Sequence, residues 1–442
     1  MSLSFRVEWL EAPGVSDIVD SCSWARLVIL GADGDPLTRC FDRKTGQTRE
    51  GVYGSVFALA RWIADSYWNL LYEAPRVPRA RSGRELARYP GLAPWLRRHN
   101  MLTAREGYSL PDISLARDGE HIVVWSFPDG PPDQNNRPIQ FLHQGISWHS
   151  VREVDAALQV FMGTVLERLR DVRHASVDDL RADWGAILAS REQERDLCEW
   201  AARLGLDPYD PDDLPQADEQ LLIARMAAVP EDLRGDVLDA TDSVAGARSG
   251  SDWLSQLGAG WGAAPPRGNA LVRRSNGVGS AYEAGYGAAR LIRKEQSLRA
   301  SDSPILGKLA SAYGLQFETE VVAAPPDFVD GLLAAMPGSS PVILGEDLPH
   351  EDKSFRWSRA LYLWRFGHSS RSARLITRSH GRLQQESRAF AAELLAPAAA
   401  IRSALRSNVV GDDEIESIAK TFGVRAKLVR HQIENHDLAM ME

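Results

Sequence analysis

The chain reads as a multidomain α+β protein, and three observations lead there. Its first 149 residues mix β-rich runs with one strongly amphipathic helix. Residues 150–244 carry helical periodicity alone, and residues 245–278 are rich in Gly, Ala and Ser, with Pro265-Pro266 near the middle. A length of 442 residues suits two or three domains and a sizeable core.

In the mixed α/β portion, residues 1–149, the runs Phe5-Arg-Val-Glu-Trp-Leu10, Ala25-Arg-Leu-Val-Ile-Leu30 and His121-Ile-Val-Val-Trp-Ser-Phe127 are rich in β-formers and flanked by turn residues, which predicts strands. Between them Val56, Leu59, Ala60, Ile63, Trp68 and Leu71 share one face of a helix predicted to start near Tyr53. Phe141 and Ile146 suggest a further strand. In the helical middle, residues 150–244, Ser150-Val-Arg-Glu153 is a capping-box signature with Val154, Leu158, Phe161 and Val165 at helical spacing behind it. Ser176-Val-Asp-Asp179 opens a second helix, and a third should stop at Gly205. Short helices are predicted through 221–227 and 232–240. This helical portion is a natural linker or dimerisation domain, and 245–278 a linker.

Composition narrows the function classes. A net charge of −9 argues against a generally basic nucleic-acid coat. Cys22, Cys40 and Cys198 are widely spaced, odd in number and form no C-x-x-C pair, so a reducing cytoplasm is the expected compartment. Met1 to Leu10 reads as no signal peptide, and no stretch has the ~20 apolar residues that span a bilayer, so no membrane partner is expected. Thirteen tryptophans form no repeat and read as core residues rather than an aromatic cage.

The most specific signal lies late in the chain. Arg359-Ala-Leu-Tyr-Leu-Trp364-Arg365-Phe-Gly-His368 is followed eighteen residues later by Glu386-Ser-Arg-Ala-Phe-Ala-Ala-Glu-Leu-Leu-Ala-Pro397. A zinc-protease helix of the H-E-x-x-H type sets two histidines one turn apart, with the glutamate between them activating water. Here Trp364 stands at the first histidine position and Arg365 at that of the base, while His368 remains and Glu386 follows as a third candidate ligand. The two segments resemble the ImmA/IrrE family of metallopeptidase-like proteins, whose helices read close to R-F-T-L-A-H-E-L-G-H and E-A-N-x-F-A-A-x-L-L-M-P. Arg359, Gly367 and His368 match the first, and Glu386, Phe390, Ala391, Ala392, Leu394, Leu395 and Pro397 the second. Pro341-Val-Ile-Leu-Gly345 resembles the strand before the active-site helix, the segment from Ser303 to Gly314 the opening helix, and residues 415–429 a terminal helix-turn-helix-like segment. The resemblance implies a zincin-like α+β domain over residues 279–442, a small sheet against two motif helices.

It also implies zinc endopeptidase chemistry, and here the sequence departs from the family. A hydrolytic zinc needs three protein ligands and a base. His368 and Glu386 supply two ligands, and His380, in a loop-like stretch, is the nearest third, so a vestigial zinc site is the one cofactor candidate. Arg365 stays charged, cannot accept the proton and repels a dication. Arg365 is therefore expected to pair with Glu386, with Trp364 filling the vacated metal space. His368 reads equally well as a helix-end histidine bonding the last carbonyls. No hydrolysis is expected. What the resemblance then implies is a pseudo-metallopeptidase: a regulatory protein that binds a protein partner, such as a transcriptional regulator, in a bacterial mobile-element, stress or phage-related setting. An active zinc endopeptidase with unusual ligands, cleaving a regulator, is the alternative.

A DNA-binding regulator is a third reading. Arg76, Arg79, Arg81, Arg84, Arg88, Arg97 and Arg98 lie in one short stretch against the single acid Glu85, with Tyr89 and Trp95 interleaved, as a phosphate-binding face would. The same run also reads as a solvated surface or as a partner for acidic residues. Arg371, Arg374, Arg378, Arg382 and Arg388 border the altered site and suit an acidic partner.

Overall fold

The computed structural model describes residues 2–12, 14–76, 82–119, 121–129, 137–257, 281–315, 324–334, 342–344, 348–367 and 373–442. Its contacts divide into two units, Met1–Glu219 and Gln220–Glu442. The α+β class expected from the sequence is what the chain adopts.

In the first unit β1 (Ser4–Trp9) pairs antiparallel with β2 (Trp24–Leu30), with α1 (Ile18–Cys22) between them in the chain. β3 (Cys40–Asp42) pairs with β4 (Gln47–Arg49), and β5 (Val52–Ser55) returns to the open side of β2. That pairing takes up Tyr53, so the predicted helix begins later, as α2 (Phe57–Tyr72). Nearly every α2 side chain is buried, which makes it the central rod of the unit. α3 (Gly83–Leu86) and α4 (Ala93–His99) follow. β6 (Asp112–Asp118) and β7 (His121–Phe127) form a hairpin; β8 (Ile139–Phe141) pairs with β3, and β9 (Gly145–Ser150) completes the order β6-β7-β9. β7 lies in the middle and is buried on both faces, which is why its apolar residues run on rather than alternate.

The capping box is present. Ser150 Oγ accepts from the Glu153 N–H (3.2 Å), and the Glu153 carboxylate accepts from the Ser150 N–H (2.8 Å), opening α5 (Val151–Arg168). α6 (Ala175–Gln193) is capped by His174, so it starts just ahead of the predicted Ser176. α7 (Arg195–Leu204) stops at Gly205, whose φ of 81° suits glycine. These helices do not make a domain of their own. Val154, Leu158, Phe161, Leu180, Trp184 and Cys198 join one buried cluster with Ile29, Leu59, Ile63 and Val124. An amphipathic helix must bury its apolar stripe against something, and α2 and the sheets supply the surface. The division expected at 149/150 is replaced by one at 219/220, inside α8 (Gln216–Ala228).

The second unit continues with α9 (Glu231–Leu238) and α10 (Val244–Gln256). Helix thus occupies the first part of the predicted linker, capped where Ser243 Oγ accepts from the Gly246 N–H (3.2 Å); residues 258–278 lie outside the described ones. α11 (Ala281–Glu295) and α12 (Leu306–Ala312) precede a sheet of β10 (Val329–Ala334), β11 (Val342–Ile343) and β12 (Ala373–Thr377), antiparallel in the order β11-β10-β12. α13 (His350–Phe366) and α14 (Arg382–Leu395) carry the two motif segments. Every β10 residue is buried, as a central strand with both faces covered must be. α15 (Ala398–Ala404), β13 (Val409–Val410), α16 (Asp412–Phe422), α17 (Ala426–Asn435) and β14 (Met440–Met441) close the chain, with β13 parallel to β14. Ile415, Ile418, Val429 and Ile433 of the helix-turn-helix-like pair enter the main core of this unit.

Trp62, Trp68, Trp95, Trp125, Trp184, Trp253 and Trp364 are buried, in keeping with core roles. No helix among the described residues is long and apolar enough to cross a membrane.

Candidate functional site

α13 and α14 meet over β12, and the junction is built around Arg359, 1% exposed. Its guanidinium donates to Asp330 Oδ2 (2.6 Å), the Thr377 carbonyl (2.6 Å), Gln384 Oε1 (2.7 Å) and Ser387 Oγ (3.2 Å). Burial pushes its pKa down, Asp330 pulls it back only in part, and it settles at about 9, still charged at neutral pH. The arginine that begins the motif is thus a structural bolt. It ties the helix to the sheet and to α14 at once.

Glu386, the expected third ligand, is 2% exposed. Its carboxylate accepts from Tyr362 Oη (2.8 Å) and from Arg382 Nε (2.8 Å), one turn back on α14. The backbone comes close here because of Gly285: a Cβ at that position would lie 2.4 Å from the Glu386 carbonyl, so α11 packs against α14 with no side chain between them. The helix register decides the rest. Arg359, Tyr362 and Phe366 face α14, Phe366 with its ring 6.1 Å from that of Phe390. Trp364 is two residues from Tyr362, about 200° round the helix. It points to α12, where its indole N–H donates to the Tyr313 carbonyl (2.9 Å).

Two expectations are corrected by this geometry. Glu386 takes its ion pair from Arg382; Arg365 instead lies against the rings of Tyr313 and Phe366, 5.8 Å from each centroid. Trp364 does not fill a space in front of Glu386; it anchors the other side of the helix. His368 and Arg371 lie outside the described residues. His380 sits just before α14, where its carbonyl accepts from the Gln385 side chain. Among the described residues no group of three or more His, Cys, Asp or Glu side chains could hold a metal ion. Most of the basic cluster beside the site turns inward: Arg374 is buried, Arg382 pairs with Glu386 and Arg388 donates to the Ser379 carbonyl, while Arg378 pairs with Asp330 but stays exposed.

In the first unit the arginine run meets a similar fate. Glu73, at the C-terminal end of α2, is fully buried. It accepts from Arg98 Nε and Nη2 (2.8 Å each), from His99 Nε2 (3.0 Å) and from Arg76 Nε (3.5 Å). His99 Nδ1 faces the Leu115 carbonyl (2.6 Å), so each ring nitrogen lies against an oxygen. Burial alone would raise the Glu73 carboxyl; His99 and Arg98 outweigh it and bring it down to about 2. Arg84 pairs with the buried Asp129. Arg76, Arg84 and Arg98 are therefore internal ties rather than a phosphate-binding face. Arg88 and Arg97 are exposed, and Arg79 and Arg81 lie outside the described residues.

Sequence reasoning missed Glu73, Asp330 and Gln384, because each acquires its role from partners distant in the chain. It also missed an open cleft of about 710 Å³ lined by Asp17, Asp20, Arg61, Glu106, His174, Asp179 and Asp183, contributed by separate segments. Cys40 and Cys198 are buried thiols pushed up to about 11 by desolvation, poor nucleophiles at neutral pH. No protein-family model matches this chain, and no curated protein matches it either.

Proposed function

We propose that residues 279–442 form a protease-like domain of the ImmA/IrrE type that has given up hydrolysis and acts by binding a protein partner. The observation that carries this reading is the state of Glu386, whose carboxylate is engaged by Arg382 and Tyr362. A metal would have to displace that cation and that hydroxyl, both already desolvated, before Glu386 could ligate it. Arg365, where the family places the general base, supports the same conclusion, because a guanidinium cannot take a proton from water. The partner class, a transcriptional regulator in a bacterial stress, mobile-element or phage-related setting, is what the motif resemblance suggests. A cytoplasmic location fits three unpaired cysteines, two of them buried.

The test uses the full chain. After incubation with zinc and dialysis, elemental analysis should find well under one equivalent of bound metal, and the metal-free protein should retain its partner regulator. Stoichiometric zinc, together with cleavage of the regulator that a chelator abolishes, would overturn the reading in favour of an active peptidase. Salt-sensitive retention of the chain on duplex DNA, without any protein partner, would favour the DNA-binding alternative.

A further inference from the structure

An edge strand presents a row of N–H and C=O groups with which any extended chain can pair. β12 is such an edge, with Leu375 opposite Leu332 of β10 and Thr377 opposite Val329. At Leu375 and Thr377 its outward groups are already in use. The Leu375 N–H donates to Asp236 Oδ2 (2.9 Å), and the Leu375 carbonyl accepts from Gln384 Nε2 (2.8 Å). Two residues on, the Thr377 N–H donates to Gln384 Oε1 (3.2 Å), and the Thr377 carbonyl accepts from Arg359 (2.6 Å). A primary amide carries both a donor and an acceptor. Gln384 therefore offers β12 what the peptide group of a neighbouring strand would offer. Asp236 supplies a further acceptor from α9, a helix outside the motif segments that is seated by the fully buried Leu233, Val237 and Leu238.

We propose that Asp236 and Gln384 together act as a surrogate strand, which bars an extended peptide, or β12 of a second copy of this chain, from adding to the sheet. The closure goes beyond the partner-binding reading and does not rest on it. Charged groups and side-chain caps at edges are a general defence against strand addition. Here the defence lies along the strand that runs directly into the α14 motif, so an extended segment laid beside Glu386 cannot borrow β12 for register.

The experiment takes the full-length protein, reads hydrogen exchange at the Leu375 amide, and uses an acetylated, fluorescently labelled peptide of the β12 sequence, Ala-Arg-Leu-Ile-Thr, as the strand probe. The wild type should leave the peptide free. Asp236→Ala should speed Leu375 exchange by about tenfold, as expected for loss of one charge-assisted hydrogen bond. The double variant D236A/Q384L should bind the peptide or self-associate. Peptide binding by the wild type with added protection at Leu375, unchanged Leu375 exchange in D236A, or a folded double variant that gains neither property would each overturn the proposal. Because Gln384→Leu also takes an acceptor from Arg359, a double variant that does not fold leaves the decision to the wild type and D236A.

Discussion

Each unit sets one carboxylate among three basic side chains, and the two nodes are built in opposite ways. In the first, Glu73 is the buried member, ringed by Arg98, Arg76 and His99. In the second, the carboxylate is Asp330, shared by Arg359, Arg356 and Arg378, and the buried member is the cation Arg359. An acid surrounded by positive charge holds its ionised form more firmly than water would, hence its fall to about 2. A guanidinium buried beside other guanidiniums is pressed the other way, by burial first and by Arg388 and Arg356 as well. Its node is completed by neutral acceptors: the Thr377 carbonyl, Gln384 and Ser387. A similar set of groups thus gives an electrostatic lock in one unit and a hydrogen-bond lock in the other.

The comparison can be broken most directly at Arg359. Arg359→Met keeps the stem but strands Asp330, Gln384 and a strand carbonyl. Breaking a buried pair from one side costs roughly 3–5 kcal/mol. The second unit should melt well below the first, giving two transitions by fluorescence and early proteolysis after β12. A single unshifted transition would show that Arg359 is not the bolt of this unit.

Glu73→Gln is expected to cost about 3 kcal/mol, the linkage equivalent of a carboxyl lowered from 4.5 to about 2. The sign follows from the direction of the shift. A depressed folded-state pKa contributes stability that is fully present above the unfolded value near 4.5 and is lost as pH falls through about 2. Urea titrations at pH 7 and pH 3 should therefore show the gap between wild type and E73Q narrowing at the lower pH. A gap that stays constant would mean that packing, not charge, holds the first node.

How far these nodes could be read in advance follows from the range of the interactions. Local signals carried well: the Ser150–Glu153 capping box and the stop at Gly205 are set by residues within one or two turns. Gly423, at φ 61°, likewise separates α16 from α17 at the predicted turn. Pairings across the fold did not carry. Arg98 is 25 residues from Glu73 and Asp330 is 29 from Arg359, and no periodicity marks either acid as the one an arginine will seek. The motif resemblance singled out Glu386 as a candidate metal ligand, but a string of letters does not say which side of α13 faces it. Tyr362 and Trp364 are both large, aromatic and able to donate one hydrogen bond, so composition gave no ground for choosing between them.

Gly285→Ala sharpens the comparison more gently. Its Cβ would meet the Glu386 carbonyl at 2.4 Å and Ala389 Cβ at 2.7 Å, backbone and core neighbours with little room to shift. Overpacking of this kind costs roughly 1–3 kcal/mol. The loss should fall on the second unit alone, with α11 amides exchanging faster.

The smallest expected effect is the most discriminating. Replacing Trp364 by His and Arg365 by Glu restores the letters of a zinc helix, and if position 364 faced Glu386 the double variant should take up zinc. The structure turns that position toward Tyr313. The new imidazole would sit half a turn or more from the carboxylate, and Arg382 would still hold Glu386. Zinc content should stay far below one equivalent. Trp364→Phe alone, which keeps an aromatic ring, should lose about 1 kcal/mol for the indole bond with no change in metal. Stoichiometric zinc in the double variant would mean that α13 can roll its other face onto α14 and that Arg382 yields Glu386 to a metal.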